Sequence, residues 1–121
     1  MASVSVKEPL SYLALSNTIR SAVTSWGKTL SIESGKHNVT VNNILTGFFN
    51  TERLKQLNSE KAKKFNVNTD EVFDKMSKMV PLKRIGEPEE FGYLVAFLSS
   101  DFADYINGAN IPIDGGLLKS M

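Results

Sequence analysis

The spacing of apolar and polar positions predicts one long amphipathic helix near the start of the 121-residue chain. It covers residues 11–34, and no proline interrupts it. Gly35 follows where a helix-ending residue is expected, because glycine adopts positive φ at little cost. A stripe at helical spacing is typical of a face packed into the core. Its members are Leu15, Ile19, Ala22, Val23, Trp26 and Leu30.

Three segments carry the pattern of strands. Residues 1–6 alternate small and β-branched side chains, which favours the end of a strand. Residues 39–45 are β-branched and apolar without a helical period, so we expect a mostly buried strand there. Residues 109–114 form the last predicted strand, after the turn signal Asn107-Gly108.

Three shorter helices are expected in the second half of the chain. Two amphipathic stretches cover residues 51–65 and 69–79, with Asn68 among the residues that can cap the second. Residues 82–88 read as a loop, and Pro88 opens a further helix because proline is tolerated in a first turn. We expect that helix to contribute core residues: Phe91, Leu94, Val95 and Leu98.

The order of these elements predicts an α/β fold. Strands separated by helical crossovers favour a parallel sheet with helices on both faces. Three strands make a thin sheet. The length suits one domain over residues 1–121.

Composition narrows the class of protein further. The formal net charge of +1 offers no electrostatic case for nucleic-acid binding. The absence of cysteine rules out disulfides and thiolate metal sites and suits a cytoplasmic protein. With a single histidine, no metal site is expected, and no apolar run has the length of a membrane span.

Three motifs, taken in order, resemble those of the short-chain dehydrogenase/reductase family. Residues 41–51 (VNNILTGFFNT) look like that family's strand and loop beside the nicotinamide. Residues 81–90 (PLKRIGEPEE) look like the motif that follows its substrate-binding helices. Residues 98–116 look like the C-terminal segment of that family. Within the family, the motifs most resemble those of 3-oxoacyl-[acyl-carrier-protein] reductases.

The resemblance implies a fold and an activity. The chain would be the C-terminal half of a Rossmann-like, doubly wound parallel sheet, with a small helical lobe at about residues 51–80 that closes over substrate. The activity would be NAD(P)-dependent reduction of a carbonyl or oxidation of an alcohol. The glycines never fall at the spacing of a dinucleotide-binding turn. The chain by itself is therefore expected to be inactive and to bind neither NAD nor NADP.

The catalytic signature of the family is altered. The family places a lysine four residues after its tyrosine, and the lysine lowers the pKa of a phenol that is otherwise about 10. Here Tyr12 would pair with Ser16, or Leu13 with Asn17, so neither register restores the pair. The resemblance nevertheless points to Ser3 and Tyr12 as catalytic residues, with Asn17 in the place of the lysine.

The same resemblance assigns the nicotinamide side of the site. Its candidates are Thr46, Gly47, Phe49 and Thr51, with Thr46 in the place of the family's usual proline. A plain connection from strand to helix would need only the glycine, so both interpretations of the loop stay open.

Two other functions remain open alongside the oxidoreductase. The chain is alternatively a non-catalytic interaction module or a gene fragment, and we expect a homo-oligomer formed through the helix at residues 11–34. A remote alternative is a phosphate loop at residues 22–29 (AVTSWGKT) with Lys28 on the phosphates. The family resemblance implies a small-molecule carbonyl or alcohol as the substrate.

Overall fold

The computed structural model describes residues 1–120 and contains an α/β arrangement of four helices and a small parallel sheet. Three short 3-10 helices, Val4–Val6, Gly35–His37 and Asp101–Ala103, connect these elements. In chain order the principal elements are α1 (Ala14–Ser34), β1 (Asn43–Thr46), α2 (Glu52–Phe65), α3 (Thr69–Met79), α4 (Pro88–Leu98) and β2 (Asn110–Ile113).

The sheet confirms the predicted parallel pairing. β1 and β2 run side by side, from Asn43 opposite Asn110 to Thr46 opposite Ile113. Beyond the last pair, the Gly47 amide donates to the Ile113 carbonyl at 3.0 Å. Two strands that are distant in sequence therefore end at the same edge, as parallel strands joined by helices do.

The predicted strand at residues 1–6 is wrong, because none of these residues belongs to a strand. The Ala2 amide donates to the Ile44 carbonyl at 2.8 Å, a lone backbone hydrogen bond to β1 rather than a ladder. The Ser3 hydroxyl then accepts the Ser5 amide at 3.2 Å and caps the 3-10 helix Val4–Val6. Serine side chains compete with ladder bonds in this way, and a period-two pattern does not reveal that competition.

Helix α1 packs with a different face from the one that its apolar stripe predicts. Its buried residues are Thr24, Gly27 and Ser31. The Asn43 side chain of β1 donates to the Thr24 carbonyl at 3.4 Å. A methyl group on Gly27 would lie 3.0 Å from that same side chain, so the small residues set a close approach of helix to strand.

The apolar stripe of α1 lies on the surface of the chain. Leu15 is 75% exposed and Trp26 is 63% exposed, so the expectation that the stripe is core is wrong for this chain. Helix α4 is similar: the structure buries none of its residues, although Phe91, Leu94, Val95 and Leu98 were expected in the core. The compact apolar cluster instead joins the chain ends, around Ala2, Val4 and Leu45.

Helix ends follow the predicted capping chemistry, with one exception. The Asn68 side chain accepts the Asp70 amide at 3.0 Å and begins α3. Gly35, however, has φ of −56° and continues as a 3-10 turn. The left-handed residue is Asn38, at φ of 58°. Asparagine tolerates that region better than most residues, so glycine is not required there.

No helix among residues 1–120 combines the length and apolar character that crossing a bilayer requires.

The packing of α1 predicts opposite effects for two helical glycines. Gly27→Val should destabilise the chain by about 1–3 kcal/mol, because the added carbons overlap the Asn43 side chain. Gly92→Ala in α4 should stabilise it by about 0.5–1 kcal/mol, because a methyl there meets no atom and alanine favours the helix. Urea unfolding measures both. Equal effects of the two substitutions would contradict the packing of α1 on β1.

The loop before α4 predicts a loss of stability in acid. Both carboxylate oxygens of Glu90 accept the Arg84 guanidinium, at 2.6 and 2.7 Å, and one also accepts the Glu87 amide. These bonds, the Arg84 bond first, lower the pKa of Glu90 from 4.5 to about 2. The ion pair therefore stabilises the folded state above pH 4.5, and its contribution is lost as the pH falls toward 2.

Glu90→Gln should remove this part of the acid dependence of the unfolding midpoint. Glu89→Gln is the matched control, because Glu89 precedes it in the same helical turn and forms none of the described ion pairs. An unchanged acid profile in Glu90→Gln would show that the ion pair contributes nothing to stability.

Candidate functional site

A cleft of about 450 Å³ opens at the carboxyl end of β1. The strand's last residue, the loop after it and the start of α2 form one wall, and the N-terminal segment and α4 contribute the others. Its lining is apolar with several hydroxyl groups: Met1, Ser3, Arg20, Thr46, Gly47, Phe48, Phe49, Thr51, Arg53, Leu54, Leu57, Pro88 and Phe91.

The structure brings five of the seven sequence-predicted site residues together in this cleft. They are Ser3, Thr46, Gly47, Phe49 and Thr51. The N-terminal segment meets the end of β1 because the Thr46 hydroxyl donates to the Ala2 carbonyl at 3.2 Å. The N-terminal segment that carries Ser3 is thereby held against the end of the strand.

Gly47 occupies a position where no side chain fits. A Cβ atom there would lie 2.7 Å from Cβ of Asp114 and 2.8 Å from its Cα. The glycine therefore allows the loops after β1 and β2 to touch. Asp114 in turn accepts the amides of Gly116 and Leu118, at 2.9 and 2.8 Å, and so acts as the structural strand-end residue that its position indicates.

Phe49 joins the loop after β1 to the segment around α4. Its backbone forms an isolated parallel bridge with Gly86, and its ring meets Phe91 edge-on at a centroid distance of 6.3 Å. A methyl on Gly86 would lie 3.0 Å from that ring, so a side chain at this position would require the Phe49 ring to shift. This packing holds the family-like motif at residues 81–90 against the one at residues 41–51.

Tyr12 and Asn17 do not line the cleft. Tyr12 has φ of 65° and a fully exposed side chain. Asn17 uses its amide group to donate to the Leu10 carbonyl at 2.9 Å, and its buried side-chain oxygen accepts no bond within residues 1–120. Their catalytic roles stay predictions.

Two lining residues that sequence reasoning did not single out are arginines. Arg20 follows Asn17 by one helical turn, and Arg53 lies in the first turn of α2. Helical spacing from Asn17 would have placed Arg20 on the same side of α1. Only the packing of α1 in the structure shows that the side of the helix with Arg20 faces the cleft.

The phosphate-loop alternative does not fit the structure. Residues 22–29 lie in the middle of α1, where backbone amides are engaged in helical hydrogen bonds. Lys28 donates to the Gly108 carbonyl at 3.2 Å. A phosphate loop needs free backbone amides before a helix begins, whereas residues 22–29 lie inside a helix.

Comparison with known proteins identifies the family. The profile of a family described as enoyl-(acyl carrier protein) reductase matches residues 1–118. The chain belongs to the short-chain dehydrogenase/reductase family. A short-chain dehydrogenase family protein from Francisella tularensis has the same fold, with a TM-score of 0.93 at 28% identity over 96% of this chain.

Two of the similar proteins are reductases. NADPH-dependent reductase BacG of Bacillus subtilis is 35% identical over 115 residues, which are 95% of this chain. 3-Oxoacyl-[acyl-carrier-protein] reductase FabG of Chlamydia trachomatis is 36% identical over 98 residues, or 81% of this chain.

The present chain spans less than half the length of the proteins it matches. It covers 44% of BacG, 35% of FabG and 48% of the Francisella chain. The α/β architecture with a parallel sheet is therefore that of one part of a short-chain dehydrogenase/reductase.

The cleft residue Thr51 also caps helix α2, which predicts how its substitution changes the free energy of unfolding. Its hydroxyl accepts the Leu54 amide at 3.3 Å and caps α2. Thr51→Ala should cost about 0.5–2 kcal/mol of unfolding free energy, whereas Thr51→Ser should retain most of it. Urea unfolding of both variants tests the cap. An alanine variant as stable as the parent would contradict it.

Proposed function

We propose that this chain is the substrate-side half of an NAD(P)-dependent oxidoreductase that reduces a carbonyl or oxidises an alcohol, as 3-oxoacyl-[acyl-carrier-protein] reductases do. The observation that carries the proposal is the cleft at the end of β1, where Ser3, Thr46, Gly47, Phe49 and Thr51 meet. Membership of the family and the NADPH dependence of BacG support it.

The residues present fit the nicotinamide end of a cofactor. Three hydroxyl groups, those of Ser3, Thr46 and Thr51, line the cleft and can bond amide and ribose groups. Bound nicotinamide would supply or accept the hydride. The chain's own groups would orient it, and the lobe of α2 and α3, at about residues 51–80, would cover the substrate.

We further propose that the 121-residue chain alone is inactive and binds neither cofactor firmly. The sequence holds no glycine-rich turn of the kind that binds a pyrophosphate at a helix N-terminus. Tyr12, the residue proposed to transfer a proton, lies outside the cleft with its side chain in solvent, and Asn17 brings no positive charge to the site. We place the protein in the cytoplasm, as its lack of cysteine suggests.

Titration with NADH and NADPH, followed by their fluorescence, tests this proposal. The 121-residue chain should give no saturable change at millimolar cofactor. A chimera that joins residues 1–121 to the N-terminal half of BacG should bind NADPH saturably, because it restores the pyrophosphate turn.

Two substitutions in the chimera sharpen the test. Gly47→Val should weaken NADPH binding, since it forces the loop away from Asp114. Gly92→Ala, in open space on α4, should leave it unchanged. A folded chimera without NADPH binding would refute the oxidoreductase proposal, and firm binding by the short chain would refute its inactivity.

A second proposed role is association with another copy of the chain. The stripe of α1 that was expected in the core is exposed, with Ile19 55% and Trp26 63% accessible. An apolar face of this kind on a helix favours association. We propose a homo-oligomer formed through the helix at residues 11–34, which is also the form that a non-catalytic interaction module would take.

Trp26→Glu should shift the chain toward monomer, because a carboxylate on the stripe must be desolvated on association. Ile32→Glu is the matched control: Ile32 is 73% exposed but lies about 120° around the helix from Trp26. Light scattering measures the mass of each variant. A parent chain that is already monomeric would end this proposal.

A further inference from the structure

The cleft holds two positive charges and no carboxylate. Arg20 and Arg53 are among its lining residues, and none of the others is acidic. Within residues 1–120 the ion pairs use Lys55, Lys78 and Arg84, so neither cleft arginine has a protein counter-ion there. Cations gathered in a partly enclosed apolar cleft attract an anion, because the surroundings screen charge less than water does.

Arg20 is held in position by neutral groups. Its Nη1 donates to the Ala2 carbonyl at 2.9 Å, and its Nε donates to the Ser16 hydroxyl at 3.2 Å. The same Ala2 carbonyl accepts the Thr46 hydroxyl, so the guanidinium stands beside the end of β1. Nη2 donates to no acceptor in the described part of the chain, which leaves one edge of a positioned guanidinium available.

Arg53 reaches the cleft from the other wall. It lies in the first turn of α2, two residues after the Thr51 cap, and its Nη1 donates to the Gln56 side chain at 3.1 Å. Its side chain is exposed, so its charge is more strongly screened by water than that of the half-buried Arg20. Arg20 should therefore contribute the larger share of any anion binding.

Apart from the hydroxyl groups of Ser3, Thr46 and Thr51, the rest of the lining is mostly apolar. The paired rings of Phe49 and Phe91 and the side chains of Leu54 and Leu57 face the same space. A ligand that suits both features carries a negative group at one end and an apolar body at the other. Arginine recognises carboxylate and phosphate oxygens by paired N–H bonds, so either could supply the charge.

We propose that the substrate of this cleft is an apolar molecule with a carboxylate, which Arg20 binds and Arg53 supports. This inference rests on the proposed oxidoreductase function, of which it names the substrate class. A carboxylate is favoured over a cofactor phosphate because the arginines and the aromatic wall line one cleft, which matches both ends of a single small acid.

A pair of isosteric probes tests the charge requirement on the 121-residue chain without any cofactor. 3-Phenylpropanoate should shift the backbone NMR signals of the cleft saturably at millimolar concentration. Its neutral analogue 3-phenylpropanamide should bind at least about tenfold more weakly, because a charge-assisted bond is lost.

Substitutions then assign the charge to the arginines. Arg20→Gln should weaken 3-phenylpropanoate binding about tenfold and leave the amide unaffected. Arg20→Lys should retain part of the affinity, and Arg53→Gln should lose about threefold because its charge is more exposed. Lys36→Gln is the control, since it removes one charge from an exposed residue beyond the far end of α1. If Arg20→Gln does not fold, Arg53→Gln and Arg20→Lys carry the test.

Each of three outcomes would overturn the proposal: equal binding of acid and amide, no binding of either, or unchanged binding in both Arg20→Gln and Arg53→Gln. Competition by inorganic phosphate at lower concentration than the acid would assign the site to a phosphate instead, which also overturns it. Because no cofactor is present, the result is separate from the chimera titration. Acid binding with a chimera that ignores NADPH would refute only the oxidoreductase function.

Discussion

The parallel pairing of β1 with β2 is the interaction on which the rest of this structure depends. It brings the residues after the two strands together although more than sixty positions separate them in the chain. Gly47 and Asp114 then meet so closely that a single methyl group would separate them. The cleft opens at this edge because parallel strands end there and leave their loops on one side.

The surface of α1 follows from the same constraint. A helix that approaches β1 closely must present small residues, and Thr24, Gly27 and Ser31 do so. The larger side chains, with Trp26 among them, are then directed away from the strand and remain exposed. A positive charge, that of Arg20, rather than an apolar side chain marks the side of α1 that faces the cleft.

The chemistry of the cleft differs from what the family's signature would provide. Hydroxyl groups and two arginines line it, whereas Tyr12 stands in solvent and Asn17 is bonded to the Leu10 backbone. An arginine stays protonated at any physiological pH, so it suits binding of an anion better than proton transfer. The Arg20 guanidinium thus lies one helical turn beyond Asn17, and it is held there by the Ala2 carbonyl, which accepts a hydrogen bond from its Nη1.

The sequence by itself determined the helices α1 to α4 to within a few residues, the parallel α/β class and five of the residues that line the cleft, because local spacing, caps and family motifs carry that information. The strand predicted at residues 1–6 was wrong, because the Ser3 hydroxyl accepts the Ser5 amide and begins a 3-10 helix there. Only the tertiary structure decided which face of α1 is buried, since an apolar stripe looks the same whether it meets a core or a partner. The same packing, and nothing in the local pattern, brought Arg20 and Arg53 to one cleft.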